Sequence, residues 1–471
     1  MSHWDTWSSP RRNFALHPFV SDQYYNPECT PDARDRNGWN KEHLPTRKPD
    51  QSSNEVRQAS NFHHEPFTHL SEKPIILKNL PSRASFSSPP SKMANAKPSP
   101  PKSSRPPLLT AFFALLFTLL TAIGVYFIRI QSVITPFSQN LTNLVEAQKL
   151  QDGSRLYTTY TGLEPLDIAL TYLVASFAQG PLGLHEAARI QQIHFLLNFF
   201  PAAVIMNVEA YRHAAWATLY QTVGGGVIIP FYHLVYTLLT TKITHLVSGG
   251  AVPLPLAKAL LPSTLLLFAL PTAAMYFPYS SPRLSQNLIA FWQVSPIVLN
   301  AGIWLLASTV YRSSSSSQTP ETKTTTRQQT TLTLNRLYTT SALVAAASHL
   351  YTIYTLLTST NKSLTLVNVF LPLNDVSNGD VATSLFQLFQ WDFWLIFGSS
   401  RLWCALVVYD VQKQLHGKVN LKKFFWYYTL TNNLSMIIGP GAVLAGVWRW
   451  REERLVEIEA AAGRQEKEHS L

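Results

Sequence analysis

Between Pro106 and Trp450 the sequence is a succession of long apolar runs separated by short polar connections. A soluble core does not need repeated stretches of about 20 apolar residues, whereas the hydrocarbon core of a bilayer does. Inside a bilayer every backbone N–H and C=O group has to be satisfied within the protein, which restricts spanning segments to helices and closed barrels. Runs of this length indicate helices, so we predict an all-α, polytopic bundle of transmembrane helices.

Nine apolar runs are candidate membrane spans, and a count of eight is also acceptable. The first run is the most apolar, and the second is the weakest because it is short and contains Asp167. The nine candidates are residues 107–130, 164–181, 190–208, 216–240, 253–277, 286–311, 335–358, 384–409 and 424–448.

The polar segments on either side of this region predict three parts. Residues 1–105 are rich in Pro, Ser and Lys, and this composition predicts a disordered arm in the cytosol. Residues 106–450 form the transmembrane helical domain, and residues 451–471 form a charged C-terminal tail. The net charge of +11 lies in the arm and in short loops, where it is typical of membrane orientation rather than of nucleic-acid binding.

Loop charges predict the orientation of the chain, which we expect to be an integral protein of the endoplasmic reticulum. Basic residues precede the first span and place the N-terminus in the cytosol: Lys92, Lys97, Lys102 and Arg105. Alternation then places the basic loops 182–189, 241–252, 312–334 and 410–423 on the same side. The exception is a group that falls on the lumenal side: Arg449, Arg451 and Arg454.

Asp392 is the most informative single residue. It lies inside the apolar run of residues 384–409, and a carboxylate at the centre of a membrane helix costs about 2.5–3.5 kcal/mol, so such residues usually have a function or a partner. A pair with Arg401 is the structural alternative, although nine residues separate the two by about 13 Å along one helix. A carboxyl group buried away from water keeps its proton near neutral pH and can act as a general acid.

Glu209 is the second candidate acid, at the predicted lumenal end of the third span. The same alternation places it in the same half of the membrane as Asp392. Its structural alternative is an interfacial salt bridge with Arg212, three residues further on. The other candidates for the surroundings of the site are Arg212, Gln221, Gln390, Trp391, Trp394 and Arg401. The glycines of Gly224–Gly226 indicate close helix packing or a kink, not a phosphate loop.

Several chemistries lack their sequence signature. Neither of the two cysteines belongs to a CxxC pair or a Cys/His cluster, and the chain contains no carboxylate run for a Mg²⁺-bound diphosphate. Dinucleotide, GxSxG and HExxH motifs are absent as well. We therefore predict neither a metal nor a cofactor. Acid chemistry on an apolar substrate, transport and a structural role stay open.

Two segments resemble a fungal family of small integral-membrane enzymes. They are NVEAYRHAAW…YQTVGGGVIIPFYHLVY (Asn207–Tyr236) and QWDFWLIFGSSRLW (Gln390–Trp403). The family comprises membrane-bound terpene cyclases and epoxide hydrolases of ascofuranone-type meroterpenoid pathways and of aurovertin- and citreoviridin-type polyketide pathways. The resemblance covers about residues 155–450. It implies that Glu209 and Asp392 correspond to acids proposed to protonate an epoxide or to assist attack by water or a hydroxyl group.

The resemblance and the buried acid together favour an enzyme that opens an epoxide on an apolar terpenoid or polyketide, giving a cyclised or hydrated product. A neighbouring flavin epoxidase is the partner that such an activity implies. The main alternative is a transporter or receptor-like protein, in which the acids form a proton relay or a structural pair. Against a transporter, the sequence contains no internal repeat of the kind that many transporters carry. A non-catalytic membrane scaffold is the third possibility.

Overall fold

The computed structural model describes residues 104–210, 223–242, 246, 252–312 and 320–470. In these ranges the regular structure is helical, apart from two isolated bridges, so the predicted all-α class is confirmed there. We number the helices in chain order: α1 Pro107–Ile134, α2 Phe137–Glu146, α3 Glu164–Phe177, α4 Glu186–Ala210, α5 Gly225–Leu239, α6 Leu254–Met275, α7 Pro282–Ser308, α8 Pro320–Thr358, α9 Leu366–Phe370, α10 Val381–His416, α11 Leu421–Ile438 and α12 Pro440–Ser470.

Five helices in the described ranges are long and apolar enough to cross a membrane: α1, α6, α7, α8 and α10. Helix α5 is a shorter apolar helix. These helices support the predicted membrane protein, whereas the count of eight or nine spans is not confirmed. Two of the five, α1 and α6, contain a π-helical segment, at Val125–Ile130 and Leu265–Ala269 respectively.

A buried ion pair closes one end of the bundle. Arg105, just before α1, donates to both carboxylate oxygens of Asp410 in α10, at 2.8 and 2.6 Å. Its guanidinium also donates to the carbonyl oxygens of Thr237 and Thr240 at the C-terminal end of α5. We call this end of the bundle the Arg105 end.

The opposite end, which we call the Asp167 end, is built by polar contacts of the segment before α3. Asp167 accepts hydrogen bonds from the backbone N–H groups of Tyr160 and Thr161, at 3.0 and 2.7 Å. In the same segment Tyr157 donates its backbone N–H to Gln286, at the start of α7. The starts of α3 and α7 therefore lie together.

Helix α3 does not cross the bundle. It has 14 residues, which corresponds to about 21 Å, less than the roughly 30 Å of a hydrocarbon core. Directly after it, Gln179 donates to the carbonyl oxygen of Val381 at the start of α10, so both ends of α3 lie at the Asp167 end. The candidate span 164–181 is thus a helix that stays on one side.

Because α3 does not cross the bundle, the next helix, α4, runs in the direction opposite to the predicted one. Arg189, near the start of α4, donates to the carbonyl oxygen of Tyr276 at the end of α6, 2.5 Å away. Helix α4 therefore begins at the Asp167 end and runs parallel to α10, towards the Arg105 end. The prediction that loop 182–189 shares a side with loop 410–423 is wrong, because it counted α3 as a crossing.

The last candidate span, 424–448, is two antiparallel helices. Helix α11 starts where Phe424 contacts Tyr409 near the Arg105 end, and it ends at Gly439, whose φ of +92° suits glycine. Helix α12 then returns, because Trp448 packs on Trp403 of α10 with ring centroids 4.1 Å apart. The reversal brings the C-terminal arginines back to the Arg105 end, which removes the exception in the predicted charge pattern.

The predicted C-terminal tail is largely a continuation of α12. The helix runs to Ser470, and two of its charged residues, Arg451 and Glu452, are buried. Further along, Glu459 forms an ion pair with Arg327 near the start of α8 at 2.7 Å. Residues 451–459 of this segment thus pack against the helical domain.

Candidate functional site

Asp392 lies on the wall of an apolar cavity of about 450 Å³. The residue is half-buried, on a turn of α10 that faces the interior between α1, α4 and α5. Aromatic side chains form much of the remaining wall: Phe177, Phe195, Phe199, Trp292 and Phe389. The size is in the range of small-molecule sites, and Asp392 is the one acid among the described lining residues, an arrangement suited to acid chemistry on an apolar molecule.

One oxygen of Asp392 is fixed by the start of α5. Its Oδ1 accepts a hydrogen bond from the backbone N–H of Gly226, at 2.7 Å. The first N–H groups of a helix have no partner inside that helix, so this carboxyl group completes the N-terminus of α5 from outside. The second oxygen, Oδ2, makes no hydrogen bond to the described residues, which leaves it as the group that can exchange a proton with a bound molecule.

The glycines before α5 make this contact possible. A Cβ atom on Gly226 would lie 2.8 Å from Oδ1 of Asp392, and one on Gly225 would lie 2.6 Å from Ile396. Gly224 has a φ of +105°, a conformation that side chains other than glycine's rarely allow. The close packing predicted from Gly224–Gly226 is therefore present, and it places the helix terminus against the acid.

The π-helical segment of α1 contributes to the same cavity. Ile128 and Arg129 lie within it and line the wall together with Asp392. Arg129 donates from Nε to the carbonyl oxygen of Val223 at 2.7 Å, which holds its guanidinium beside the start of α5. Segments of this kind are frequent at functional sites. Here the segment brings the one basic side chain among the described residues of the cavity wall.

Glu209 lies away from this cavity, near the Arg105 end. Its Oε1 is 3.3 Å from Arg451 and 3.5 Å from Nε1 of Trp448. Trp448 packs on Trp403, which is eleven residues beyond Asp392 on α10, or about 16 Å along the helix. The prediction that the two acids share a depth is wrong because α4 runs opposite to the predicted direction.

The remaining candidates separate into different surroundings. Gln390 donates to the carbonyl oxygens of Asn368 and Val369, beside α9. Trp391 stacks on Phe127, with ring centroids 3.8 Å apart.

Two candidates face away from Asp392. Trp394 donates to the carbonyl oxygen of Phe370, and Arg401 donates to Asn432 and Ser435 of α11. The alternative pair between Arg401 and Asp392 is therefore not formed. Arg212 and Gln221 lie outside the described residues, and so does the alternative pair of Glu209 with Arg212.

Sequence reasoning missed most of the cavity wall. Phe195 and Phe199 are four residues apart on α4 and could have been recognised as one helical face. Arg129 is the single charged residue between Pro107 and Ile134. Like Asp392, it is a charge inside an apolar run, and it could have been recognised for the same reason. Trp292 and Phe177 come from helices whose position depends on the fold, so local sequence contained no sign of them.

The comparisons with known proteins agree with the resemblance. The profile of the CtvD domain matches residues 112–456, and the chain belongs to this family. It is 24% identical over 380 residues to a protein named terpene cyclase DEP1 of Alternaria brassicicola, which covers 72% of this chain and 98% of that protein. A protein of the same name from Fusarium langsethiae is 25% identical over 375 residues, with coverages of 71% and 97%. No solved structure matches the chain.

The family match defines the class of protein. The predicted resemblance to fungal membrane-bound terpene cyclases is confirmed, at modest identity. The matched region begins inside α1 and ends inside α12, so it contains both Asp392 and the cavity.

Proposed function

We propose that this chain is a terpenoid cyclase that opens an epoxide on an apolar terpenoid or polyketide by acid catalysis in the Asp392 cavity. The observation that carries the proposal is the position of Asp392. One oxygen is held by Gly226, and the other has no hydrogen bond to the described residues, on the wall of an aromatic cavity. The name of the DEP1 relatives supports cyclisation as the outcome.

The first step is a proton transfer. The Oδ2–H group of Asp392 gives its proton to the epoxide oxygen while the bond from that oxygen to its tertiary carbon breaks, with the electron pair staying on oxygen. The products of this step are a hydroxyl group, a carbocation and the Asp392 carboxylate. The N–H of Gly226 and the guanidinium of Arg129 stabilise the carboxylate that forms.

The second step quenches the cation. The faces of Trp292 and of the four phenylalanines can each stabilise a nearby cation by about 0.5–2 kcal/mol. An alkene or an internal hydroxyl group of the substrate then attacks the cationic carbon. A proton lost from the new intermediate returns to Asp392, so the acid is regenerated and the product is an isomer of the substrate. Entry of water instead gives a diol, with the same return of the proton.

We place this activity in the endoplasmic reticulum membrane, with the Arg105 end in the cytosol. The basic loop at 413–423 and the C-terminal arginines share that end, as the charge rule for membrane loops requires. An apolar epoxide has to be made by an oxygenase, and a flavin epoxidase of the same pathway is the partner that this chemistry implies.

The test is incubation of microsomes containing the full chain with a synthetic epoxide of a terpenoid or polyketide, in water enriched in ¹⁸O. An isomeric product without ¹⁸O supports a cyclase, whereas a labelled diol supports a hydrolase. Accumulation of unchanged epoxide across a panel of terpenoid and polyketide epoxides, with correctly inserted protein, argues against the proposal and in favour of a transporter or scaffold.

A further inference from the structure

A second cavity, of about 780 Å³, lies on the other side of α10 from Asp392. Helices α8, α9, α10 and α11 surround it, and its wall is mostly apolar, including Phe370, Phe393 and Phe397. Several lining residues are exposed, such as Val367 at 54% and Met436 at 72%. The cavity is therefore accessible from the side, where the membrane lies around these helices.

Arg401 is the one charged residue among the described residues that line this cavity. It lies nine residues from both Asp392 and Asp410 on α10, about 13 Å from each along the helix, and so in the middle of a membrane-crossing helix. It donates to Asn432 and Ser435. In the part of the chain that the structure describes, no carboxylate lies within ion-pair distance of it.

The guanidinium of Arg401 has N–H donors that its contacts to α11 do not use. It carries five N–H donors, and the two contacts to α11 use two of them. Charged residues inside membrane helices are costly unless they pair, and an unpaired one marks a ligand or transport pathway. A carboxylate is the group whose geometry and charge match the remaining donors.

Two histidines on the wall add no charge. Nε2 of His349 lies 3.1 Å from the carbonyl oxygen of Met436 and has to donate to it. Nδ1 of His349 then accepts from Nε2 of His194, 2.9 Å away, so one neutral tautomer of each ring fits both contacts, while Nδ1 of His194 has no hydrogen-bond partner among the described residues. The part of the wall that the structure describes thus has a single positive charge, which favours a monoanion over a phosphate monoester of nearly two charges.

We propose that this cavity binds a carboxylate-bearing amphiphile with one long apolar chain, such as a fatty acid or a polyketide acid. The carboxylate pairs with Arg401, and the chain lies along Phe370, Phe393 and Phe397 towards the exposed side at Val367. Arg401 is too deep for the head group of a bilayer phospholipid, which stays at the surface, whereas a small carboxylate can be carried in from the side.

The test measures binding of radiolabelled oleate to the purified full chain in nanodiscs of zwitterionic lipid. We expect saturable binding of one oleate per chain, and binding weaker by about tenfold or more in Arg401→Gln, because charge-assisted hydrogen bonds are lost. Methyl oleate, which has the same chain without the charge, should compete poorly. Arg336→Gln removes an exposed cation of α8 that is not on the cavity wall, and should bind like the wild type.

A second pair of variants leaves Arg401 in place. Gly398 lines the cavity, and a Cβ atom there meets nothing within 4 Å, so Gly398→Leu adds an apolar side chain to the wall at a position where its first carbon has room. Gly446 in α12 is equally open but exposed outside the cavity, which makes Gly446→Leu the matched control. Loss of oleate binding in Gly398→Leu alone, at unchanged thermal unfolding, supports the proposal.

Three outcomes overturn it. They are unchanged oleate binding in both Arg401→Gln and Gly398→Leu, equal competition by methyl oleate, and preferential binding of phosphatidylglycerol, which would identify a lipid head-group site instead.

Discussion

In the proposed mechanism Asp392 combines two roles, which a single carboxyl group can hold because it has two oxygens. Oδ1 completes the N-terminus of α5 through Gly226, and Oδ2 is left for the cavity. The first contact fixes the side chain, so the second oxygen needs no further ordering when a substrate binds. This arrangement separates the structural contribution of the residue from its chemistry, and the following substitutions use that separation.

Asp392→Asn keeps an oxygen that can accept from Gly226 but removes the transferable proton. We expect normal insertion and a loss of turnover of about 10²–10⁴-fold, the usual contribution of a general acid. Turnover should be measured per molecule of membrane-inserted protein, with Asp392→Glu as a variant that keeps the proton and moves it. Asp375→Asn, in an exposed loop, is the matched control. Wild-type turnover by Asp392→Asn would exclude the mechanism.

Gly226→Ala tests the approach of α5 to the acid. The added methyl group would lie 2.8 Å from Oδ1 and 3.2 Å from Cα of Asp392, so the two helices have to move apart. We expect lower turnover and a lower unfolding temperature, because overpacking costs about 1–3 kcal/mol. Gly446→Ala, where the methyl group meets nothing, should leave turnover unchanged and should not lower the unfolding temperature, because alanine favours a helix more than glycine does. Equal behaviour of the two variants would show that the contact does not position Asp392.

Glu209→Gln should affect stability more than chemistry. Glu209 contacts Arg451, which also contacts Glu452 at 2.9 Å, so the substitution leaves the arginine one carboxylate partner among the described residues. We expect reduced protein level, with turnover per inserted molecule close to that of the wild type, because the residue lies about 16 Å along the bundle from Asp392. A large loss of turnover at an unchanged level would instead restore Glu209 as a second catalytic acid.

At the level of helices, the reversal at Gly439 decides the topology of the C-terminus. A Cβ atom on this glycine would lie 2.7 Å from Oδ1 of Asn198 and 2.8 Å from Cβ of His349, so the turn is packed between α4 and α8. Helix α11 therefore ends inside the bundle, and α12 leads the chain back to the Arg105 end.

We expect tags at the loop 417–420 and at the C-terminus to lie on the same side of the membrane. Protease protection in sealed microsomes measures this, and a tag in the loop 278–281, between α6 and α7, should show the opposite protection. A tag at residue 1 should match the first two, because Arg105 joins the start of α1 to the end of α10. Opposite protection of the loop 417–420 and the C-terminus would show that residues 421–448 cross the membrane once.

Helix identity was largely predictable, whereas helix direction was not. Long apolar runs predicted α1, α6, α7, α8 and α10, because hydropathy alone decides whether a segment prefers the bilayer. Asp167 and a short run made α3 the weakest candidate, and counting it as a crossing reversed α4 and misplaced Glu209. Gly439 and Pro440 in the middle of the last run were the sign of the reversal between α11 and α12.

At the scale of the whole molecule, the acid was predictable and its cavity was not. Asp392 is visible in the sequence because a carboxylate in an apolar run is costly. The aromatic wall comes from α3, α4, α7 and α10, which are distant in sequence and meet only through tertiary packing. The same packing separates the Asp392 cavity from the Arg401 cavity, although both residues lie on one helix.

We expect the contact of Arg105 with Asp410 to set the N-terminal limit of a chain that keeps its stability and turnover. Removal of residues 1–100 should leave insertion and turnover close to wild type, since their composition does not favour a packed core.

Removal of residues 1–106 also deletes Arg105 and leaves the buried Asp410 without its cation, which costs about 3–5 kcal/mol when a buried pair is broken. Protein level and unfolding temperature should therefore fall, and Asp410→Asn in the shorter chain should restore part of the loss because it removes the stranded charge. Loss of turnover in the chain that begins at residue 101, at unchanged protein level, would mean that the arm contributes to function. Equal stability of the two truncated chains would mean that the ion pair does not hold the Arg105 end together.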